Sequence, residues 1–324
     1  MSDENLRERI GTIARTYEDI RQITQQVVVG NATLIEEIFI SMISGGHLLI
    51  EGVPGTAKTT ICKIVARLID YEFRRVQGAV DIQPADIIGV RVYDRNRSEF
   101  VLQRGPIFTN FLMVDEMNRL TPKTQSALLE AMSERQVTID GTTYLLPDPY
   151  FVIATQNPHE AEGTFPLIEA QRDRFMFSTV LTHLDPKDEL EVLRRECSGE
   201  LDWGVYRDRI TPILGPAEIK TMAATIREIR VDETVLGYMR DLVLATRAHS
   251  DIRLGASSRA SIALFRGSTV RAALNGRTYV IPDDARALAL PVLRHRILLT
   301  REALITGVTP EAVVSEIVES VGVS

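Results

Sequence analysis

Residues 47–59 read His47-Leu48-Leu49-Ile50-Glu51-Gly52-Val53-Pro54-Gly55-Thr56-Ala57-Lys58-Thr59, and Thr60-Ile61-Cys62-Lys63-Ile64-Val65-Ala66 follows. An apolar run, a glycine-bearing loop and an amphipathic stretch in that order predict a strand, a phosphate-binding loop and a helix whose positive dipole end faces the loop. Backbone N–H groups there collect oxyanions, Lys58 can reach the β- and γ-phosphates of a nucleotide, and the Thr59 hydroxyl can hold Mg²⁺. Val53, Pro54, Gly55, Thr56, Ala57, Lys58, Thr59 and Thr60 are therefore candidate contacts for ATP or ADP. Ala57 departs from the G-x-x-x-x-G-K-[ST] pattern, because it stands where a second glycine is expected. Its φ must be one that a methyl-bearing residue accepts, or the loop is altered there. The plain alternative is an ordinary strand-to-helix turn.

The rest of the first half adds chemistry to that loop. Phe111-Leu112-Met113-Val114-Asp115-Glu116 reads as a buried parallel strand, and the carboxyl ends of such strands are where open α/β sheets place ligands. Asp115 is the candidate Mg²⁺ carboxylate, and Glu116 the base that polarises the attacking water. Two solvated carboxylates at a strand end would be the bland reading; the pairing with Lys58-Thr59 favours the chemical one. Phe151-Val152-Ile153-Ala154-Thr155 is a further core strand, and Asn157 after it offers a neutral amide to orient the water or touch the γ-phosphate. As a turn residue before proline it would need no such role.

Helical spacing covers residues 4–26 and 32–44, with Val27-Val28-Val29-Gly30-Asn31 between them. Gly30 and Asn31 are candidate adenine contacts, since chain just before the first core strand of a P-loop protein can close over the base; the valines also read as plain core. Tyr71–Val76 alternates as a strand, 77–106 reads as an insertion carrying a hairpin, and 136–144 is a hairpin turning at Asp140-Gly141. Thr121-Pro122 opens a helix as N-cap and first residue. From Asp185-Pro186 onward strands give way to helices, dividing the chain into an α/β core (1–184) and a helical unit (185–324). A serine of Gly255-Ala256-Ser257-Ser258 can cap the next helix. Arg259 then sits in the first turn, the wrong end for a cation, which points to an anionic partner.

Composition sets limits. The 324 residues are 44% apolar, enough for a buried core, and carry a formal charge of −7, which argues against general affinity for nucleic acid, a local basic pore aside. Cys62 and Cys197 are too few for a disulfide or metal scaffold and are read as small packing residues. The start lacks an apolar signal region, and no apolar run approaches the ~20 residues that span a bilayer, so no membrane span and a cytoplasmic location are expected.

The chain resembles the MoxR family of AAA+ ATPases over nearly all its length, through GVPGTAKT, FLMVDEMNRLTPKTQSALLEAMSERQVTIDG, FVIATQNP, EAQRDRF and GASSRAS. That resemblance implies an α/β P-loop AAA+ core with a parallel sheet followed by an all-α lid, and Ala-Lys-Thr is common in the family's loop. Asn31 stands where relatives usually have glutamine, and Arg172 where an apolar residue is usual. By the same resemblance Asn157 is sensor 1, Arg174 the arginine finger given to the neighbouring subunit, and Arg259 sensor 2, reaching from the lid to the γ-phosphate of its own subunit. A helix-end pair of Arg174 with Asp173 is the plain alternative, and Arg172 competes for the finger role. A hexameric ring, a protein client such as a maturing metalloenzyme and a von Willebrand A domain partner are implied as well. Other readings are a nucleic-acid motor, which the charge disfavours, a chelatase-type motor subunit, and a nucleotide-gated scaffold, which would not need Glu116.

Overall fold

The computed structural model describes residues 3–52, 55–157, 163–199, 206–207 and 210–323. Val53 and Pro54 lie outside the described residues.

Helices α1 (Asp3–Val27) and α2 (Ala32–Ile43) precede strand β1 (Leu48–Gly52), and α3 (Lys58–Leu68) follows the phosphate loop. The chain continues through β2 (Phe73–Gln77), α4 (Pro84–Ile88), a hairpin of β3 (Gly89–Asp94) and β4 (Glu99–Arg104), and β5 (Phe111–Asp115). Next come α5 (Pro122–Glu134), a second hairpin of β6 (Gln136–Ile139) and β7 (Thr142–Leu145), then β8 (Phe151–Gln156), α6 (Glu169–Arg172), β9 (Phe177–Leu181) and α7 (Pro186–Cys197).

Five strands form one parallel sheet in the order β2-β5-β8-β1-β9. The chain leaves β8 for the far edge strand β9, so the carboxyl ends of β1, β5 and β8 open into one crevice, the usual ligand position of a doubly wound sheet. The period of two divides the sheet into two apolar faces. Leu48, Ile50, Phe111, Met113, Phe151 and Ile153 pack with α1–α3, whereas Leu49, Leu112, Val114, Val152 and Ala154 pack with Leu128, Leu129 and Met132 of α5. Asp140 and Gly141, at φ 48° and 75°, supply the paired left-handed residues that a two-residue hairpin turn requires. Thr121 caps α5 by accepting from Thr124 N, with Pro122 at its first position.

Strand β9 was not foreseen from the sequence. Its Phe-Ser-Thr-Val-Leu run is broken by two hydroxyls, yet Ser178 and Thr179 are buried because they bond to Glu51 and Glu37. The valine run Val27–Val29 is buried core. Cys62 is buried as expected; Cys197 is exposed at the end of α7, so it is no packing residue.

After α7 the longer elements are helices, at Pro216–Ile226, Glu233–Ala248, Ser258–Leu274, Pro282–Leu293 and Pro310–Ser320, with a small pair of strands, Ile252–Leu254 and Leu298–Leu299. Helix α1 reaches across to them: it lies against the 216–226 and 258–274 helices, and Arg9 holds Glu228 through two bonds of 2.9 and 2.6 Å. One apolar cluster therefore runs from Ile10, Ile13 and Ile20 through the sheet to Leu242, Leu264 and Val292. Among the described residues no helix is long and apolar enough to cross a membrane.

His47, at the head of β1, is wholly buried between α5 and β8. Its Nε2 lies 3.1 Å from Met132 O, and its Nδ1 accepts from Val152 N at 3.1 Å, so the ring is neutral with the proton on Nε2. Burial pulls its pKa down to about 4. The unfolded chain then holds a proton between pH 6.5 and 4 that the folded chain lacks, so stability falls as pH falls through that window. Buried Glu37 runs the other way: burial raises its pKa to about 7, and its contribution is lost as pH rises toward that value. In denaturant titrations His47→Gln, which offers an amide N–H and an amide oxygen in place of the two ring nitrogens, should lower the slope of stability against pH between 4.5 and 6.5 by about 1.4 kcal/mol per pH unit, uncovering the opposite slope of Glu37; an unchanged slope would refute the assignment.

Candidate active site

The crevice at the strand ends is a cleft of about 450 Å³ lined by Gly55, Thr56, Ala57, Lys58, Thr59 and Thr60 on one side and Asp115, Glu116, Thr155 and Asn157 on the other. Helix α3 begins at Lys58, and its N-cap, Ala57, has no side-chain oxygen with which to cap it. Ala57 adopts the left-handed conformation, φ 57° and ψ 15°, and Gly55 precedes it at φ 86°. Ala57 is thus a methyl-bearing residue in a conformation that costs it roughly 1–2 kcal/mol. Lys58 is partly buried and donates from Nζ to Gly52 O at 3.0 Å. Burial lowers its pKa, while Asp115 and Glu116 oppose the shift.

One hydroxyl organises the acidic side. Thr155 Oγ1, buried on β8, donates to Asp115 Oδ1 at 2.5 Å and accepts from Glu116 N at 3.0 Å. Glu116 is left-handed at φ 53°, which turns the chain sharply at the end of β5, and its Oε2 lies 3.1 Å from Arg119 Nε. A helix N-terminus without a side-chain cap, a partly buried ammonium, a threonine hydroxyl and a fixed carboxylate are the donor set for a polyphosphate and a hard divalent cation. Lys58, Thr59 and the loop amides would hold the phosphates, and Thr59 with Asp115 the Mg²⁺. Such a cation would draw charge from the phosphates.

Thr155 was not foreseen as a participant, and neither were Arg75, Gln77 and Gly78. Arg75 pairs with Asp115 Oδ2 at 2.5 Å and with Gln77 Oε1 at 2.6 Å. Both come from β2, whose register sets Gln77 beside Asp115, and that adjacency is invisible until strand order is known. Gly78 packs so tightly on the turn that an added Cβ would lie 2.1 Å from Glu116 O.

The remaining candidates are elsewhere. Gly30 and Asn31, both with positive φ, form the α1–α2 turn; Gly30 faces Leu184 and Asp188 at the start of α7, and neither lines the phosphate cleft. Arg174 lines a second cleft of about 350 Å³, where its NH1 donates to Leu129 O and Ser133 Oγ at 2.9 and 3.2 Å. Arg172 does not line it, and Asp173 pairs with Arg296 instead of Arg174. Arg259 lines this second cleft too, as do Arg135, Arg266 and Arg296. In this conformation Arg259 therefore does not reach the phosphate cleft of its own chain, because its helix start is tied to the Arg174 segment: Ser257 Oγ accepts from Arg259 N at 3.1 Å and donates to Asp173.

The chain is similar to known proteins over nearly all its length. The model of the ATPase family associated with various cellular activities matches residues 47–177, and that of the AAA lid domain matches 244–317. The uncharacterized protein YeaC of Bacillus subtilis (strain 168) is 40% identical over 92% of each chain. Chaperone MoxR1 of Mycobacterium tuberculosis is 38% identical over 98% of this chain and 84% of its own. A crystal structure of a candidate ATPase from Cytophaga hutchinsonii superposes with a TM-score of 0.90 at 38% identity, covering 99% of this chain and 98% of that one.

Two substitutions probe the strained geometry from opposite sides. Ala57→Gly should raise thermal stability by about 1 kcal/mol, because it removes the methyl from a left-handed position. Gly78→Ala should leave the far-ultraviolet circular dichroism unchanged, yet lower ATP turnover by at least about tenfold through displacement of Glu116.

Proposed function

We propose that this chain, which belongs to the MoxR family of AAA+ ATPases, hydrolyses ATP with Mg²⁺ in sites shared between copies of itself, and that it uses the cycle to remodel a protein client. The observation that carries this is the separation of the two clefts. Lys58, Thr59, Asp115, Glu116 and Asn157 surround one, whereas Arg174 and Arg259 line the other. A cleft with two carboxylates, facing a nucleotide that brings several more negative charges, needs a cation at the transition state. A second copy docked cleft to cleft would supply Arg174, and Arg259 with it, in trans. Closed repetition of that heterologous contact gives a ring, with six subunits as the family resemblance implies.

Within one site Glu116 polarises the water, Asn157 orients it, and Lys58 with the loop amides carries the charge on the phosphates. Loss of the γ-phosphate would then be felt in the adjoining subunit, through both arginines at once. The β3–β4 hairpin is a surface by which a client would be engaged: Val90, Val92, Tyr93 and Phe100 are exposed, the two rings packing edge to face at 5.3 Å. A metal-containing enzyme as client and a von Willebrand A domain partner belong to the same proposal, as does a cytoplasmic setting. The name of chaperone MoxR1 supports the remodelling role.

Turnover per subunit should rise with protein concentration and reach a plateau on assembly. Arg174→Ala and Glu116→Gln should each lose about 10³-fold at the plateau. Turnover independent of concentration and untouched by Arg174→Ala, over a range in which light scattering shows assembly, would exclude the shared site.

A further inference from the structure

Arg296 is an unusual residue to find in the core: its side chain is 2% exposed. Its Nε donates to Asp173 Oδ1 at 2.9 Å, and its two terminal nitrogens donate to four backbone carbonyls, those of Asp173, Phe175, Met176 and Val292. Burial draws its pKa down only to about 10, so it remains charged at neutral pH. A buried cation persists only where its partners are fixed, and these partners come from two parts of the chain. Asp173, Phe175 and Met176 belong to the segment between α6 and β9 that carries Arg174, whereas Val292 ends a lid helix. The same Asp173 carboxylate also accepts from Ser257 Oγ, at 3.1 Å to Oδ1 and 2.9 Å to Oδ2. Ser257 in turn caps the lid helix that begins at Ser258, through Arg259 N.

We propose that Asp173, Ser257 and Arg296 form a clamp that fixes Arg174 and Arg259 in one rigid relation, making them positioning residues for phosphoryl transfer in the neighbouring subunit. The inference rests on the reading that Arg174 acts in trans. None of the three is needed to touch the nucleotide. Asp173 is the residue next to Arg174, Ser257 holds the helix turn that contains Arg259, and Arg296 keeps Asp173 in place. Finger and lid of one subunit therefore move as a single body against the neighbour's nucleotide. A guanidinium displaced by an ångström forfeits most of its effect on a transition state while scarcely altering ground-state binding.

Ser257→Ala removes one arm of the clamp and leaves the Asp173–Arg296 pair; Asp173→Asn keeps the shape and removes the charge. Replacing Arg296 would strip four carbonyls of their donor, so it is the less informative variant. In the assembled protein both chosen variants should lower kcat for ATP, Ser257→Ala by about fivefold and Asp173→Asn by about fiftyfold, with KM within about twofold of the parent. Each is then mixed with Lys58→Ala, which lacks its own site but retains an intact finger segment. Where an Asp173→Asn subunit binds ATP and a Lys58→Ala subunit lends Arg174, the shared site is whole, so the mixture should exceed the mean of its parts. Arg174→Ala mixed with Lys58→Ala is the control. Recovery in the control without recovery for Asp173→Asn would overturn the clamp and leave the shared site standing, as would an unchanged kcat in both variants. No recovery in the control would overturn the trans reading and the clamp with it.

Discussion

The hydroxyl of Thr155 is the contact on which the chemistry of this fold depends. It donates to Asp115 and accepts from the backbone of Glu116, so one buried atom on β8 holds the Asp115 carboxylate and the turn that carries Glu116. It can do so because parallel pairing puts β5 and β8 side by side, with Val114 opposite Ala154 and the polar residues one step beyond. The apolar faces of the sheet fix that register, since a slip by one residue would send every core side chain to the wrong layer. Packing energy is thereby converted into the placement of two acids within reach of Lys58.

Charge explains the remaining layout. The chain has an excess of acid overall, yet its second cleft collects five arginines around a single acid, Asp173, which Arg296 and Ser257 already occupy. A basic concavity on an acidic molecule is a local receptor for anions, not a general one. Arg174 and Arg259 are thereby kept apart from Asp115 and Glu116 within a single chain, whose own counter-charges are Arg75 and Arg119.

Much of this was legible in the sequence where local chemistry suffices. The phosphate loop, the Asp115–Glu116 pair, both hairpins and the long helices follow from periodicity, turn residues and caps, and the helix read at 4–26 runs from Asp3 to Val27. What could not be read depended on adjacency across the fold. Arg75 reaches Asp115 only because β2 lies next to β5. Strand β9 was hidden by two polar residues whose partners are on other elements, and the left-handed φ of Glu116 has no sequence signal of its own. Arg259 was read as an arginine at an unfavourable helix end, but its place in the second cleft depended on Ser257 and Asp173, 84 residues apart. Long-range hydrogen bonds of that kind leave no periodicity behind.

The pairing of Arg75 with Asp115 has a consequence for how the protein rests between turnovers. An acidic crevice without a counter-charge would repel itself and tend to protonate or to scavenge whatever cation is abundant. Here the counter-charge is built in, on a side chain long enough to swing aside. Loading a divalent ion there would be an exchange of one cation for another instead of an addition. A metal would then be taken up best together with phosphates that also bind it, with Arg75 as the placeholder beside Asp115 in their absence.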